Sequence, residues 1–481
     1  MLTHIANEDS RLSFWLRVRE FAVPASMIET ATARRHAGDW AGACAAAGID
    51  VDFNLRAVAR EHGQDLAARV RADLRHLAPD LLRWHLPRIA PDGLLRPGLT
   101  VPLARYEAVG RGRGGVRPVH LVVRTPPAWA DAGQRISLAL WDASSDLGTT
   151  GSGAAGSGAG GSGASGSGAG GSRHPHPRPS RRFRLDLHRH LWDARRAGEL
   201  RVRCGADRPP PGDDPPPPTV DRAAEPSELG CAVDRWAAEA RIVLRAAGRT
   251  TGSVLVRFGA GQRLVLDPGE DGEGAPVLRS PSGCVSALPV LPDAATWVLP
   301  DLELLRRGAI EAERLHPLVA SALVPEHAAS GASRLPDRAG RARFVDCRGA
   351  THRIGLVDGV LAPLDHDPAE IRREELLAAL TGTPLPCLQA VDAAHRRPDC
   401  LAGVRERLVH GDIVGALAVV EGLLGPDAVL RDGALRDELE AAARRRIAYG
   451  LFRAGLIGPG PGQDRRRPPR MREHPRHGIR R

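Results

Sequence analysis

The sequence predicts a multidomain α+β protein. Three observations carry that reading. Apolar residues recur at helical spacing, between recognisable caps, near both ends of the chain. Two stretches, 99–142 and 343–364, switch to short apolar runs bounded by glycine and proline. Two segments, 151–172 and 205–226, cannot build a core. The first contains only Gly, Ser and Ala, and the second contains Pro209-Pro-Pro-Gly-Asp-Asp-Pro-Pro-Pro-Pro218. With 481 residues the chain is long enough for two to four domains. The expected division is a helical region 1–98, an antiparallel β region 99–204 with a disordered insertion at 148–180, and a Pro-rich linker 205–226. A small α+β region 227–335, a β-meander plus helical region 336–456 and a disordered Arg/Pro-rich tail 457–481 follow.

Residues 12–90 read as helices. Ser26-Met27-Ile28-Glu29 has the spelling of a capping box, in which Ser and Glu satisfy free donors at a helix start. Ala37-Gly38-Asp39-Trp40 reads as a stop and an immediate restart, because Gly accepts a left-handed backbone and Asp caps the next helix. Leu66, Val70, Leu74 and Leu77 form one stripe, and Pro79-Asp80 opens a short successor through Trp84.

Strands are expected at 101–109, 116–123 and 136–141. Gly110-Arg-Gly-Arg-Gly-Gly115 lies between the first two. A glycine-rich loop cradles phosphate at a helix N-terminus, but this one joins two strands and reads as a hairpin loop. Beyond the Gly/Ser/Ala stretch, Phe183, Leu185, Leu187 and Leu191 alternate with Arg184, Asp186, His188 and His190. That alternation predicts a half-buried strand, paired in one sheet with 136–141, and a further short strand at 199–204. The Gly/Ser/Ala stretch is then a long loop between two strands. Such an insertion is tolerable, since loop closure costs only about 0.6 kcal/mol per doubling of length. The domain boundary moves to the proline-rich spacer, which favours an extended polyproline conformation.

Residues 227–247 carry Leu229, Val233, Trp236, Ala240 and Val243 at helical spacing, and 253–267 read as a hairpin. Asp301 is placed as a helix cap, and a helix over 308–323 as broken at Pro317. Residues 343–364 predict a three-stranded meander whose second turn, Asp358-Gly359, has the type I′ spelling. Residues 367–455 are helical, with Asp367-Pro368-Ala369-Glu370 as a start signal, a helix pair around Gly411-Asp412, a stop at Gly425-Pro426 and a long last helix. The spelling G-D-x-x-G-A occurs twice, at 38–43 and 411–416, and resembles the turn of tetratricopeptide-type helix hairpins. No period near 34 residues links the two, so a solenoid is not expected.

Composition excludes several chemistries. All 67 basic residues are Arg, and the chain has no Lys. P-loop NTPases, protein kinases and pyridoxal-phosphate enzymes all need a Lys amine. Neither H-E-x-x-H nor G-x-S-x-G occurs. The seven cysteines are scattered and never spaced C-x-x-C, which argues against a structural zinc site or a disulfide framework and fits free cytosolic thiols. With no secretory signal and no apolar run near 18 residues, no membrane segment is expected and the cytoplasm is the expected compartment. No cofactor is implied.

Two candidate sites remain. Asp186, His188 and His190 would share one face of the expected strand, a ligand set suited to zinc or iron. Asp365-His366-Asp367 raises the same idea, but Asp367 serves as the helix cap. Separately, basic charge is concentrated in 173–203, with ten Arg, and 464–481, with eight. Arg465, Arg466, Arg467, Arg470 and Arg472 could neutralise nucleic-acid phosphates, although the tail lacks interleaved aromatic platforms.

The runs His76-Leu-Ala-Pro-Asp-Leu-Leu-Arg-Trp-His85 and Gly355-Leu-Val-Asp-Gly-Val-Leu361 resemble those of uncharacterised proteins from GC-rich actinobacteria. The resemblance implies a bacterial cytosolic origin and no particular chemistry. The expected role is a non-enzymatic adaptor or scaffold with protein partners. A nucleic-acid binder and a metal-dependent hydrolase are the alternatives.

Overall fold

A computed structural model describes residues 2–108, 117–130, 134–142, 174, 176–208, 226, 229–259, 261–269, 276–326, 343–382 and 384–456. The glycine-rich run 110–115, the Gly/Ser/Ala stretch 151–172, most of the proline-rich spacer and the tail with its arginines lie outside the described residues. The α+β class holds: helices surround four small sheets.

The chain begins with α1 (Leu2–Phe21), α2 (Ala25–His36) and α3 (Trp40–Ala46). Strand β1 (Ile49–Val51) precedes α4 (Leu55–His62), α5 (Gln64–His76) and α6 (Pro79–His85). Between α2 and α3, Gly38 takes φ +76° and the Asp39 carboxylate accepts the Gly42 N–H at 2.8 Å, the expected stop and restart. The capping box does not form. Pro24 already stands at the N-cap with extended backbone, so Ser26 falls inside α2 and its side chain caps nothing.

A two-stranded ribbon, β2 (Arg88–Ile89) with β3 (Leu94–Leu95), leads to β4 (Thr100–Ala108), β5 (Arg117–Arg124) and β6 (Ile136–Asp142). The sheet order is β1-β6-β5-β4, with β1 parallel to β6 and the other pairs antiparallel. Ala108 pairs with Arg117, so the glycine-rich run does join two strands of a hairpin.

Residues 183–191 are not a strand. They form two 3₁₀ turns, Leu185–Leu187 and Arg189–Leu191, and 200–204 form a helix, α7 (Leu200–Cys204). The tight turns bury Leu185, His188, His190 and Leu191, a set drawn from both faces of the expected strand, while the backbone bonds to itself. The segment still returns to the sheet. Ser180 N–H donates to Thr100 O at 2.8 Å, and the Thr100 hydroxyl donates to His176 O at 2.6 Å. Leu138 and Trp192, from either side of the Gly/Ser/Ala stretch, share one core.

Further on come α8 (Val233–Ala246), the sheet β7 (Val254–Phe258), β8 (Gln262–Asp267) and β9 (Val277–Arg279), then α9 (Asp293–Thr296), α10 (Pro300–Arg306) and α11 (Pro317–Leu323). Pro317 starts α11 rather than breaking a longer helix, because a missing N–H costs nothing in a first turn. Leu299, not Asp301, stands at the N-cap of α10, and Asp301 turns inward instead. Trp236, Val254 and Leu266 form a second core. Leu302, Leu304, Leu315 and Val319 belong to the first core, so segments on both sides of the proline-rich spacer share it.

The meander is β10 (Arg343–Cys347), β11 (Ala350–Val357) and β12 (Val360–Pro363). Asp358 and Gly359 take φ +49° and +78°, the positive pair that a type I′ turn requires. Helix α12 (Pro368–Thr381) follows, and α13 (Pro386–Arg396), α14 (Leu401–His410), α15 (Ile413–Leu424) and α16 (Ala434–Arg453) complete a third core around Val404, Leu408, Val420 and Leu435. Asp367 caps α12 through Ala369 N–H at 3.0 Å. Among the described residues no helix is long and apolar enough to cross a membrane.

An arginine-lined cleft between two cores

Arg11, Trp15 and Arg19 recur every four residues along α1 and therefore lie on one stripe. That stripe forms one wall of a cleft of about 460 Å³. Trp84 and His85 of α6, with Arg88 and Arg96 of the β2–β3 ribbon, continue the wall. Residues 182–185 and 190–191 close one side, and Arg203 and Cys204 of α7 close another. Leu229, Arg235 and Trp297 complete the lining, and Leu229 and Trp297 pack against the second core. The cleft thus exists only because the first and second cores meet.

Eight arginines line it. Five are matched by carboxylates: Arg11 with Glu303 at 3.0 Å, Arg19 with Asp301 at 2.7 Å, Arg182 with Asp293 at 2.6 Å, Arg184 with Asp186 at 2.7 Å and Arg203 with Glu239 at 2.8 Å. Burial alone would raise the Glu239 carboxyl, but His188 and Arg203 outweigh it and hold it down at about 2.

Arg88, Arg96 and Arg235 differ. Among the described residues none of the three forms an ion pair with a carboxylate. Arg88 donates to the carbonyls of Gly93 at 2.9 Å and Arg83 at 2.8 Å, while its Nε is sealed from solvent without a hydrogen-bond partner. Burial, joined by the charges of Arg83 and Arg19, pushes Arg88 well below the usual arginine range. The Nε of Arg96 is likewise buried and unpartnered. Arg235 donates to the carbonyls of Arg203 and Trp297, and burial lowers it too. Arg88 is thus a desolvated cation with no carboxylate among its charged neighbours, and an anion entering the cleft would relieve that cost.

The histidines of the cleft are neutral. His85 Nδ1 is 3.1 Å from Leu81 O and 3.2 Å from Leu191 O. Both neighbours only accept, so Nδ1 carries the proton. Burial pushes His85 down to about 4 despite Asp301. His190 lies well below its usual value through burial and the nearby His188. Positive charge in the cleft therefore comes from guanidinium groups alone. Leu185, Leu191, Leu200 and Leu229 supply an apolar floor.

The sequence-proposed metal triad does not assemble. Asp186 accepts from Nε and Nη2 of Arg184, and His188 Nε2 stands 3.2 Å from Glu239. His190 lines the cleft, its ring edge-on to His188 at 5.7 Å. In the basic segment, Arg189 pairs with Asp73 and Asp193, Arg195 with Asp193, and Arg196 with Glu199, so its charge is largely neutralised internally. The tail arginines 465, 466, 467, 470 and 472 lie outside the described residues. Sequence reasoning missed the cleft. Its one legible signal was the spacing of Arg11, Trp15 and Arg19, which an arginine-only composition made easy to pass over. The only described set of His, Cys and acidic side chains close enough to hold a metal is elsewhere, at Cys347, His366 and Cys387. No family model, curated protein or solved structure matches the chain.

Proposed function

We propose that this protein binds a small organic anion, a carboxylate or phosphate carrying an apolar body, in the cleft between its first two cores. One observation carries the reading: Arg88 faces the cleft with a sealed, unpartnered Nε and no carboxylate, beside a second unpartnered guanidinium nitrogen on Arg96. Arginine suits this task because its planar donors match the two oxygens of a carboxylate or phosphate. The anionic head would sit against Arg88 and Arg96, and the body against the leucine floor. Because the ligand touches both cores, binding would fix their relative placement, which suits a ligand-responsive adaptor.

The test is thermal unfolding of the full chain against a panel of inorganic phosphate, aromatic and aliphatic carboxylates, and mononucleotides. An amphipathic anion should raise the midpoint, inorganic phosphate should do so less, and Arg88→Gln or Arg96→Gln should abolish the gain. If no anion shifts the midpoint, or if the shift survives both substitutions, the reading fails.

The adaptor role itself has one observation of its own. Helix α12 buries no residue, and Leu376, Leu377 and Leu380 on it are 69%, 49% and 86% exposed. Crosslinking in cells, read by mass spectrometry, should place partner peptides around this helix; crosslinks scattered over the whole surface would count against it.

A further inference from the structure

Three separated segments bring Cys347, His366 and Cys387 together. Cys347 closes β10 immediately before the tight turn at Arg348 and Gly349, both at positive φ. His366 immediately precedes the Asp367 cap of α12. Cys387 lies in the first turn of α13, directly after Pro386. One ligand atom from each lies within 4.8 Å of the other two. Cys347 and Cys387 are 1% and 0% exposed, and the His366 side chain is 4% exposed.

The imidazole is what points to a ligand. His366 Nε2 is buried and has no hydrogen-bond partner. Leaving such a group unsatisfied is costly. Its other nitrogen, Nδ1, is 3.7 Å from Glu370, the kind of carboxylate partner that orients a metal-bound imidazole. His352 stacks on the ring at 4.1 Å with planes 13° apart, and its Nδ1 is also buried and unpartnered. Two thiols and an imidazole nitrogen make a borderline-soft donor set, suited to zinc and poorly suited to magnesium or calcium.

We propose that Cys347 Sγ, Cys387 Sγ and His366 Nε2 form a binding site for a zinc-class divalent cation, with water as the fourth donor. The cation would tie the meander to the starts of α12 and α13. The two cysteines lie forty positions apart, so no short cysteine motif marks the site in the sequence.

The test uses the full chain, loaded with zinc and dialysed, and in parallel loaded with cobalt(II). Wild type and Cys284→Ser, which removes an exposed thiol, should retain about one metal ion per chain. Their cobalt forms should show thiolate-to-cobalt charge transfer and the visible bands of tetrahedral cobalt. Cys387→Ser and His366→Ala should lose both, with circular dichroism reporting whether each variant is folded. The proposal is overturned if wild type holds no metal and gives no cobalt bands, a result that needs no variant. It is equally overturned if folded variants bind as wild type does. A wild-type mass lower by two hydrogens and restored by reductant would reveal a Cys347–Cys387 disulfide instead, and would also overturn it.

Discussion

Arg19 and Asp301, 282 residues apart, meet through two parallel hydrogen bonds of 2.7 and 2.8 Å, with side-chain exposures of 2% and 0%. The Trp84 indole N–H lies 3.2 Å from both carboxylate oxygens, and the Arg19 guanidinium stacks over the Trp84 ring at 4.4 Å. The pair fixes α1 against α10 behind the cleft. Burial lowers Arg19, and Asp301 opposes that shift. Removing one partner leaves an uncompensated buried charge, so Asp301→Ala should cost about 3–5 kcal/mol. The double variant Arg19→Met, Asp301→Leu should cost clearly less. Urea unfolding of the two singles and the double checks this, and strictly additive losses would show that the pair is not coupled.

The two G-D-x-x-G-A corners work alike. Asp39 accepts from Gly42 N–H and Asp412 from Gly415 N–H, at 2.8 and 2.9 Å. Each carboxylate also takes an arginine five residues upstream, Arg34 at 3.1 Å and Arg407 at 3.0 Å. A Cβ at Gly42 or Gly415 would overlap Oδ2 of the capping aspartate, the oxygen that accepts from the arginine. The second glycine therefore makes room for the cap, rather than for a neighbouring helix. Gly42→Ala and Gly415→Ala should each lose about 1–2 kcal/mol, the worth of a cap. Gly403, in α14 with open space at its Cβ position, should gain about 0.5–1 kcal/mol as Ala. Thermal unfolding distinguishes these signs.

Acid should destabilise the fold through buried neutral histidines. Burial, with the charges of Arg88, Arg83 and Arg17, pushes His410 down to about 3, and burial pushes His85 down to about 4. In the unfolded chain both take a proton near pH ~6.5. Below that value the unfolded state binds more protons, so stability is full above pH ~6.5 and falls as pH drops toward 4. Each residue accounts for on the order of 3 kcal/mol by the bottom of that window. Urea midpoints measured across it should fall steeply in wild type and less in a His85→Gln, His410→Gln variant. Parallel slopes would contradict the assignment.

Anion binding in the cleft should respond to salt but hardly to pH. Only arginines carry its charge, since His85 and His190 are neutral near pH 7. Affinity for a bound carboxylate should therefore change less than about twofold between pH ~6 and ~9, and fall with ionic strength. A rise of about tenfold on acidification would mean that a histidine contributes the charge.

Shortening residues 151–172 to a few glycines should leave the melting temperature nearly unchanged, because closure entropy varies only logarithmically with length. The limit of that tolerance is set by the return of the chain. Thr100 is bonded to His176 O and Ser180 N, and His174 Nε2 is 2.8 Å from Thr125 O. Extending the deletion through 174–180 should lower the melting temperature by several degrees. Equal midpoints for both deletions would show that these contacts add nothing.

Local chemistry was legible in the sequence. Gly38-Asp39, Asp358-Gly359, Asp367-Pro368 and Gly411-Asp412 each specify a backbone event within about five residues, and each occurs as written. Such signals suffice because capping and turn formation depend on neighbours in the chain. Alternation failed over 183–191, where tight 3₁₀ turns bury Leu185 and Leu191 together with His188 and His190, which a strand would have placed on its opposite face. Asp301 failed as a cap for a related reason: the same carboxylate can accept from a helix end or from a distant guanidinium, and burial beside Arg19 selected the second. The cleft and the Cys347–His366–Cys387 cluster were decided by tertiary structure alone. Their residues come from segments tens to hundreds of positions apart, and their chemistry depends on desolvation, which exists only once separate cores have closed around them.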